Sequence, residues 1–443
     1  MLVPTNFTTL QFGVLLSYTL VAVLLSFYAL DIWLSIILSL RGKNKDAPPP
    51  AIQDWPSVSV HLPLFNEERV AERLLMSCIR LDYPSDKLQI VVVDDSNDKT
   101  TSIARSFEIK YPNVVKLIHR RDRSGFKAGA LQVALEGSTS ELIAIFDADY
   151  VPAEDFLRQI VPYLYVDDKI AFVQSRSTYL DGQFSWIAKA MSLEIDIVGR
   201  VSQRARFAAN LMAHFSGTCG VFRRKAIESV GGWSADTLAE DLDLSIRLYL
   251  RGWRYLYVPN VTVPGEIPYS FDALRHQQYR WALGFSQCLR KHAIAILRSR
   301  EIGIIQKAEA LFYLGKHFFF PLYIVSIVLG LLFYAIFPPS FWISGFLTYG
   351  LLQAVYLLYL LIASAPIAAA WTVSNERTRQ SRLKRLGHLG YACSIEYGLL
   401  LSNARAVLEG FLSTKPIFNR TPKGTLPETD REPTREQRLE ISD

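Results

Sequence analysis

Glu141-Leu142-Ile143-Ala144-Ile145-Phe146-Asp147-Ala148-Asp149-Tyr150 is the stretch whose reading decides the fold. Residues 142–146 form a short apolar run, the kind that becomes a strand buried on both faces of a parallel sheet. Two carboxylates, Asp147 and Asp149, follow at once. A strand that ends in Asp-x-Asp delivers both charges to the carboxyl edge of the sheet, where open α/β sheets bind ligands. The two charges repel and call for a cation. Hard oxygen donors suit Mg²⁺ or Mn²⁺, which can in turn hold a substrate diphosphate. The competing reading is a pair of Asp side chains capping a turn or a helix, and Asp-x-Asp alone does not separate the two.

The neighbouring sequence repeats this rhythm. Residues 58–62, 89–93, 114–119 and 170–174 read as further strands, and 67–80 and 100–110 as helices. The alternation predicts an α/β, doubly wound, mainly parallel sheet within residues 51–275. Asp94 and Asp95 close the second strand as Asp147 and Asp149 close theirs, so two acidic strand ends face one crevice. Pro63-Leu64-Phe65-Asn66-Glu67 leaves the first strand at the same edge. Gly125-Phe126-Lys127-Ala128-Gly129 is not a Walker sequence, but it offers a cation and pliable backbone for a nucleotide diphosphate. Glu240 and Asp241 precede an amphipathic run, 242–250. A carboxylate there either accepts the proton of an attacking hydroxyl or complements a helix N-terminus. In Gln277-Gln278-Tyr279-Arg280-Trp281 the guanidinium suits a diphosphate and the indole face a sugar ring. The alternative is an Arg–Trp pair at a membrane surface.

The chain has 443 residues, enough for one large domain of roughly 200–250 residues and additional material. Half of the residues (50%) are hydrophobic and 20% are charged, an apolar balance for a soluble protein. The formal net charge is +6. Much of the basic excess lies beside apolar spans, which points to an anionic leaflet and not to nucleic acid. Cys78, Cys219, Cys288 and Cys393 are widely spaced, so neither a zinc site nor a disulfide framework is indicated.

Residues 12–40 carry one charge, Asp31, and are long enough to cross a bilayer. They lack a small-residue cleavage site and read as an anchor, with a proline-rich linker completing a segment 1–50. Arg41, Lys43 and Lys45 place the N-terminus outside and the following domain in the cytoplasm. In segment 276–317, residues 282–305 mix Ile and Leu with Arg290, Lys291, Arg298 and Arg300. They read as basic amphipathic helix, either on the membrane surface or packed on the domain. Residues 318–375 contain no charged side chain, and Pro338-Pro339-Ser340 divides them into two spans. Arg377, Arg379, Arg382, Lys384 and Arg385 return the chain to the cytoplasm. Segment 376–424 includes residues 399–413, which read as an interfacial or re-entrant helix. Residues 425–443 read as a disordered tail. The expectation is an integral protein of the cell membrane.

Taken in order, Asp94-Asp95, Asp147-Ala148-Asp149, Glu240-Asp241 and Gln277-x-x-Arg280-Trp281 resemble the membrane-embedded processive family 2 glycosyltransferases, the cellulose, hyaluronan and mannan synthases. The resemblance covers about residues 58–424. Residues 81–87, 94–96, 127–131 and 145–149 are most similar to the plant-type glucomannan and xyloglucan-backbone synthases. The resemblance implies a GT-A fold and inverting transfer of hexose from UDP-glucose or GDP-mannose to a growing β-linked polysaccharide. It implies Asp241 as the catalytic base, with Glu240 beside it. Pro63, Glu67, Asp94, Asp95 and Lys127 line the nucleotide-sugar site, with Asp94 and Asp95 at the nucleoside. Asp147 and Asp149 hold the diphosphate through Mg²⁺ or Mn²⁺. Gln277, Arg280 and Trp281 bind the diphosphate and the acceptor sugar. Phe215-Ser216-Gly217-Thr218-Cys219 is similar to the acceptor-binding segment, and Phe418, Arg420, Thr421 and Lys423 lie in a stretch similar to the gating loop.

Two departures qualify the resemblance. Ala239 stands where cellulose synthases carry Thr, which argues mildly against cellulose. The chain also ends soon after the loop, where the family has further membrane helices. A homo- or hetero-oligomer completing a translocation channel is therefore one expectation. Transfer of a single sugar to a membrane lipid is another, and a non-catalytic membrane partner is a third.

Overall fold

The structure, a computed structural model, describes residues 8–41, 49–180, 185–337, 350–374 and 379–412. The short apolar runs become the centre of a seven-stranded sheet ordered β3-β2-β1-β4-β6-β5-β7. Its strands are β1 (Val58–Leu64), β2 (Leu88–Asp94), β3 (Val115–His119), β4 (Leu142–Ile145), β5 (Ile170–Tyr179), β6 (Gly220–Arg223) and β7 (Arg254–Gly265). The long apolar stretch at the start is α1 (Thr9–Arg41). Helices α2 (Ala71–Ile79), α3 (Thr100–Lys110) and α4 (Phe126–Glu136) make the crossovers between the first four strands. Then come α5 (Phe156–Ile160), α6 (Trp186–Ile197), α7 (Arg204–Ala208), α8 (Arg224–Ser229) and α9 (Glu240–Leu250). The last five helices are α10 (Phe271–Arg298), α11 (Ile304–Leu314), α12 (Phe319–Ile336), α13 (Gly350–Ser374) and α14 (Arg379–Leu412).

Strand alternation explains why β4 has no polar residue. Leu142 and Ala144, with Val60, Leu62, Ile90 and Val92, pack with Leu74, Leu75 and Phe156 on one face. Ile143 and Ile145 join Phe172, Phe222, Leu131 and Leu244 on the other. Each Val, Leu, Ile or Phe side chain among them contributes about 1.5–3 kcal/mol on burial.

β1 pairs in parallel with both β2 and β4. Winding thus reverses between β1 and β4, and the crevice at that switch point opens at their carboxyl ends. β6 runs antiparallel to both β4 and β5. Neither β6 nor β7 is among the strands expected from sequence. The regular helix expected from residue 67 begins at Ala71, because Asn66 turns the chain at φ 56°. The helix expected over 282–305 runs instead over Phe271–Arg298 and ends where Ser299 becomes extended, so a boundary at 275/276 falls inside it. Its inner face packs on the domain, with Phe285, Cys288 and Ile296 against Leu242 and Ile246 of α9.

Among the described residues three helical segments are long and apolar enough to cross a membrane, Thr9–Arg41, Lys316–Ile336 and Gln353–Ser374. Residues 399–412 form the end of the 34-residue α14. That helix lies on α10, with Ala406 and Val407 against Ala282 and Leu283. A Cβ at Gly410 would stand 2.6 Å from Ser286 Cβ, so this crossing depends on the missing side chain.

α9 and α10 are also joined through one buried carboxylate. Asp243 accepts from His292 Nε2 at 2.7 Å, Lys291 Nζ at 2.7 Å and Arg247 Nε at 2.8 Å. Burial pushes its pKa up, but these donors outweigh burial and hold it well below the usual carboxylate range. Asp243→Ala is expected to destabilise the chain by about 3–5 kcal/mol, as removal of one partner from a buried ion cluster does. The folded-state pKa lies below the unfolded value of about 3.9, so this stabilisation is full above that value and fades as pH falls through the folded pKa. Melting curves of the two proteins should accordingly converge in acid.

Candidate functional site

β4 ends at Ile145, and Asp147 and Asp149 follow beyond the sheet edge. Because β6 runs antiparallel to β4, Gly220 lies opposite Ile145. The residues just before Gly220 therefore line up beside the acidic strand end. Thr218 Oγ1 accepts from the Asp147 amide at 3.0 Å, and the Cys219 amide donates to Ile145 O at 2.8 Å. Gln174, on β5 and almost wholly buried, braces this segment. Its Oε1 accepts from the Ser216 amide at 2.9 Å, and its Nε2 donates to Thr218 O and Cys219 O at 3.1 Å. Gly217 (φ 79°) and Cys219 (φ 61°) give the turn its left-handed backbone.

Lys127 enters this turn from the start of α4. Its ammonium donates to Asp147 Oδ1 at 2.8 Å and to Gly217 O at 2.9 Å, and stands 3.4 Å from Glu240 Oε1. Glu240 and Asp241 form the first turn of α9. Burial disfavours the Lys127 charge, but Asp147, Glu240 and Asp241 outweigh it and hold its pKa above the ordinary lysine value. Asp241 is enclosed on the same side. Burial first, then Glu240, push its carboxyl up to about 7, with Lys127 and the Leu242 amide opposing. Gly217 permits this approach, since a Cβ there would lie 2.9 Å from Asp241 Oδ2 and 3.2 Å from Lys127 Nζ.

α10 brings the remaining cation. Burial lowers the Arg280 pKa, while Glu240, Asp147, Asp241 and Asp149 act on it in the opposite sense. The helix is held against α9 by close packing. A Cβ at Gly284 would fall 2.8 Å from Ala239 Cβ, and Gln287 Oε1 accepts from the Leu238 amide at 2.9 Å. Gln277 and Trp281 share the Arg280 face of α10, and Trp281 is 41% exposed. Asp149 is buried. Four carboxylates thus surround two cations, and the acidic excess suits a divalent ion. Among the described residues no group of three or more His, Cys, Asp or Glu side chains is arranged to hold a metal. Asp147 and Asp149 offer hard oxygen donors, and a Mg²⁺ or Mn²⁺ ion held by them would need its other ligands from a bound diphosphate and water.

At the far end of the crevice, Asp95 meets Arg120, with Nε to Oδ1 at 2.6 Å and Nη2 to Oδ2 at 2.5 Å. The Asp94 carboxylate turns inward, accepting from Thr101 Oγ1 at 2.6 Å and the Ser96 amide at 3.1 Å and pairing with His119 Nδ1 at 2.8 Å. Pro63 lies in β1 opposite Val93, and the Glu67 amide donates to Thr100 Oγ1 at 2.8 Å. Phe215 packs into the core against Phe172 and Phe222. Phe418, Arg420, Thr421 and Lys423 lie outside the described residues. Sequence reasoning missed Gln174, Arg120 and Ser245. Ser245 Oγ accepts from the Phe215 amide and donates to Asp241 O, joining the turn to α9. Only Arg120, a cation just past a strand, left a readable signal.

The family model for glycosyltransferase-like family 2 matches residues 56–284. A probable glucomannan 4-beta-mannosyltransferase 2 of Oryza sativa subsp. japonica is 35% identical over 301 residues, 66% of this chain and 51% of the relative. Glucomannan 4-beta-mannosyltransferase 7 of Arabidopsis thaliana is 31% identical over 367 residues, 81% of this chain and 63% of the relative. The chain thus spans between about half and two thirds of the length of these relatives. A mannosyltransferase from Pyrobaculum calidifontis, solved with GDP-Man and Mn²⁺, superposes with a TM-score of 0.56 at 24% identity, covering 80% of this chain and 99% of that one. That likeness extends the GT-A fold to this sheet and its flanking helices.

Gly217→Ala should leave the fold intact, at a cost of about 1–2 kcal/mol for the left-handed backbone. It should cut activity on the order of tenfold to a hundredfold by displacing Asp241 and Lys127. Parallel melting and turnover measurements on the purified chain check this, and unchanged turnover would contradict the packing described here.

Proposed function

The chain belongs to glycosyltransferase-like family 2, and from that premise we propose that it is an inverting membrane hexosyltransferase adding sugar from a nucleotide sugar to a β-linked glycan. GDP-mannose is the favoured donor, because the relatives are named as glucomannan mannosyltransferases and the matching solved structure holds GDP-Man. The observation that carries the proposal is the convergence of Asp147, Lys127, Glu240, Asp241 and Arg280 from four separate chain segments.

In this reading Asp241 removes the proton from the acceptor hydroxyl, whose oxygen then attacks the anomeric carbon from the face opposite the leaving nucleotide. Burial beside Glu240 makes Asp241 a stronger base than a free carboxylate. Asp147 and Asp149 would hold Mn²⁺ or Mg²⁺, which would supply positive charge to the departing diphosphate. Arg280 and Lys127 bind the same diphosphate. Gln277 joins them at the nucleotide sugar, while Trp281 and the turn at Ser216–Thr218 serve the acceptor sugar. The three apolar helices anchor the chain with its N-terminus outside and the catalytic domain at the cytoplasmic face. Transfer of one sugar to a lipid is the second reading, and product sizing separates the two: a polymer ladder against a single glycolipid.

Asp241→Asn should lower kcat by about 10²–10⁴-fold while GDP affinity stays near that of the parent. Near-parental turnover would remove the base assignment. Because the base acts only when ionised, kcat/KM should fall as pH drops below about 7, the Asp241 value, and level off above it. Chelation of divalent metal should abolish transfer of labelled mannose from GDP-mannose, and Mn²⁺ or Mg²⁺ should restore it.

A further inference from the structure

Arg120 has no part in the chemistry above, yet its guanidinium ties together the two ends of the donor crevice. It lies immediately after β3, and its own amide donates to Asp94 O at 2.9 Å. Its side chain is largely buried. Nε and Nη2 grip both oxygens of Asp95. The same guanidinium reaches the following loop, with Nη1 donating to Ser124 O at 2.9 Å and Nη2 to Phe126 O at 3.0 Å. Phe126 is the residue before Lys127.

The loop held in this way is bent against its preference. Gly125 (φ 71°) and Phe126 (φ 50°) are consecutive left-handed residues, and for a bulky side chain that conformation persists only where the surroundings over-determine it. Arg120 on Phe126 O and Asp147 and Gly217 O on Lys127 are the flanking restraints. Gly129 makes room for the arrangement, since a Cβ there would stand 2.1 Å from Ser124 O and 2.8 Å from Arg120 Nη1. This accounts for the glycine spacing in Gly125-Phe126-Lys127-Ala128-Gly129: the first glycine supplies the left-handed turn and the second the space for the clamp.

Resting on the donor-site reading, we propose that Arg120 is a positioning residue for the nucleotide. It fixes the Asp95 carboxylate at the nucleoside end and, through Phe126 O, sets Lys127 at the diphosphate end. A lysine in its place keeps the charge but not the fork that serves an acid and two carbonyls at once.

The test is calorimetric binding of GDP and UDP, each with Mn²⁺, to the purified full chain and its Arg120→Lys and Arg120→Ala variants below their melting temperatures. Donor KM and kcat are measured alongside. Arg120→Lys should weaken GDP binding and raise donor KM by roughly tenfold to a hundredfold, the scale of one or two charge-assisted hydrogen bonds. Its kcat at saturating donor should change far less. Because Arg120 acts through Asp95, adding Asp95→Asn to Arg120→Ala should weaken binding by much less than Asp95→Asn does alone. Parental GDP affinity and donor KM in Arg120→Lys, or fully additive losses in the double variant, would overturn the inference. A parent chain that binds neither GDP nor UDP would remove the donor-site reading, and this inference with it.

Discussion

Negative charge held in excess at one sheet edge is the constraint on which the rest of the site depends. Asp147, Asp149, Glu240 and Asp241 act together on Arg280, and three of them act on Lys127. In a partly water-free crevice such an excess is relieved by a bound cation or by a proton. The Asp241 carboxyl is lifted to about 7 by burial first and by the neighbouring Glu240 charge second. Lys127 sits between Asp147 and Glu240, where one ammonium offsets the most repulsion. Under the proposed function, the electrostatic cost of gathering these groups is the same property that would favour a metal–diphosphate pair at this edge.

Topology does the gathering. The parallel half of the sheet points the ends of β1, β2 and β4 the same way. The antiparallel β6 then enters from that edge, so its leading turn meets the end of β4. Without that reversal Gly217 and Thr218 would sit at the opposite rim from Asp147. α9 starts at the same rim with its acids in the first turn, where the helix N-terminus favours them. Complementing the helix N-terminus and the proposed base role are therefore not exclusive for Glu240 and Asp241, since one placement serves both.

The parallel half was legible because a strand buried on both faces is dominated by apolar residues: 142–146 is apolar throughout, 90–93 is Ile-Val-Val-Val, and 58–62 alternates Val58, Val60 and Leu62 with Ser59 and His61. The acidic strand ends were legible for the same reason, as charge can appear only where the buried run stops. β6 was not legible: four residues, Gly220–Arg223, carry too little pattern. β7 has polar and proline positions that obscure its alternation. The mutual distances in the site were not legible either, because Gly217, Lys127 and Asp241 meet through loop geometry and not through spacing. Asp94 and Asp95 illustrate the limit well. They are adjacent and chemically identical, yet the strand pleat sends Asp94 inward to Thr101 and His119 and leaves Asp95 for Arg120.

α10 links the sheet edge to the apolar helices that are long enough to cross a membrane. One side of it is fixed to α9 through Gly284, Gln287 and the Asp243 cluster. The other side lies on α14 through Ala282, Leu283 and the contact at Gly410, and Tyr279 bonds Glu409. α14 is pinned in turn to α6 where Arg385 meets Asp196. A rotation of α10 by even a fraction of a turn would open one of these faces, and interiors packed this closely resist such slippage. Arg280 is therefore held at a fixed bearing toward Glu240, Asp147, Asp241 and Asp149, with the exposed Trp281 next to it on the helix. Under the proposed transfer, an acceptor resting on Trp281 is thereby kept in register with the carboxylates that Arg280 faces.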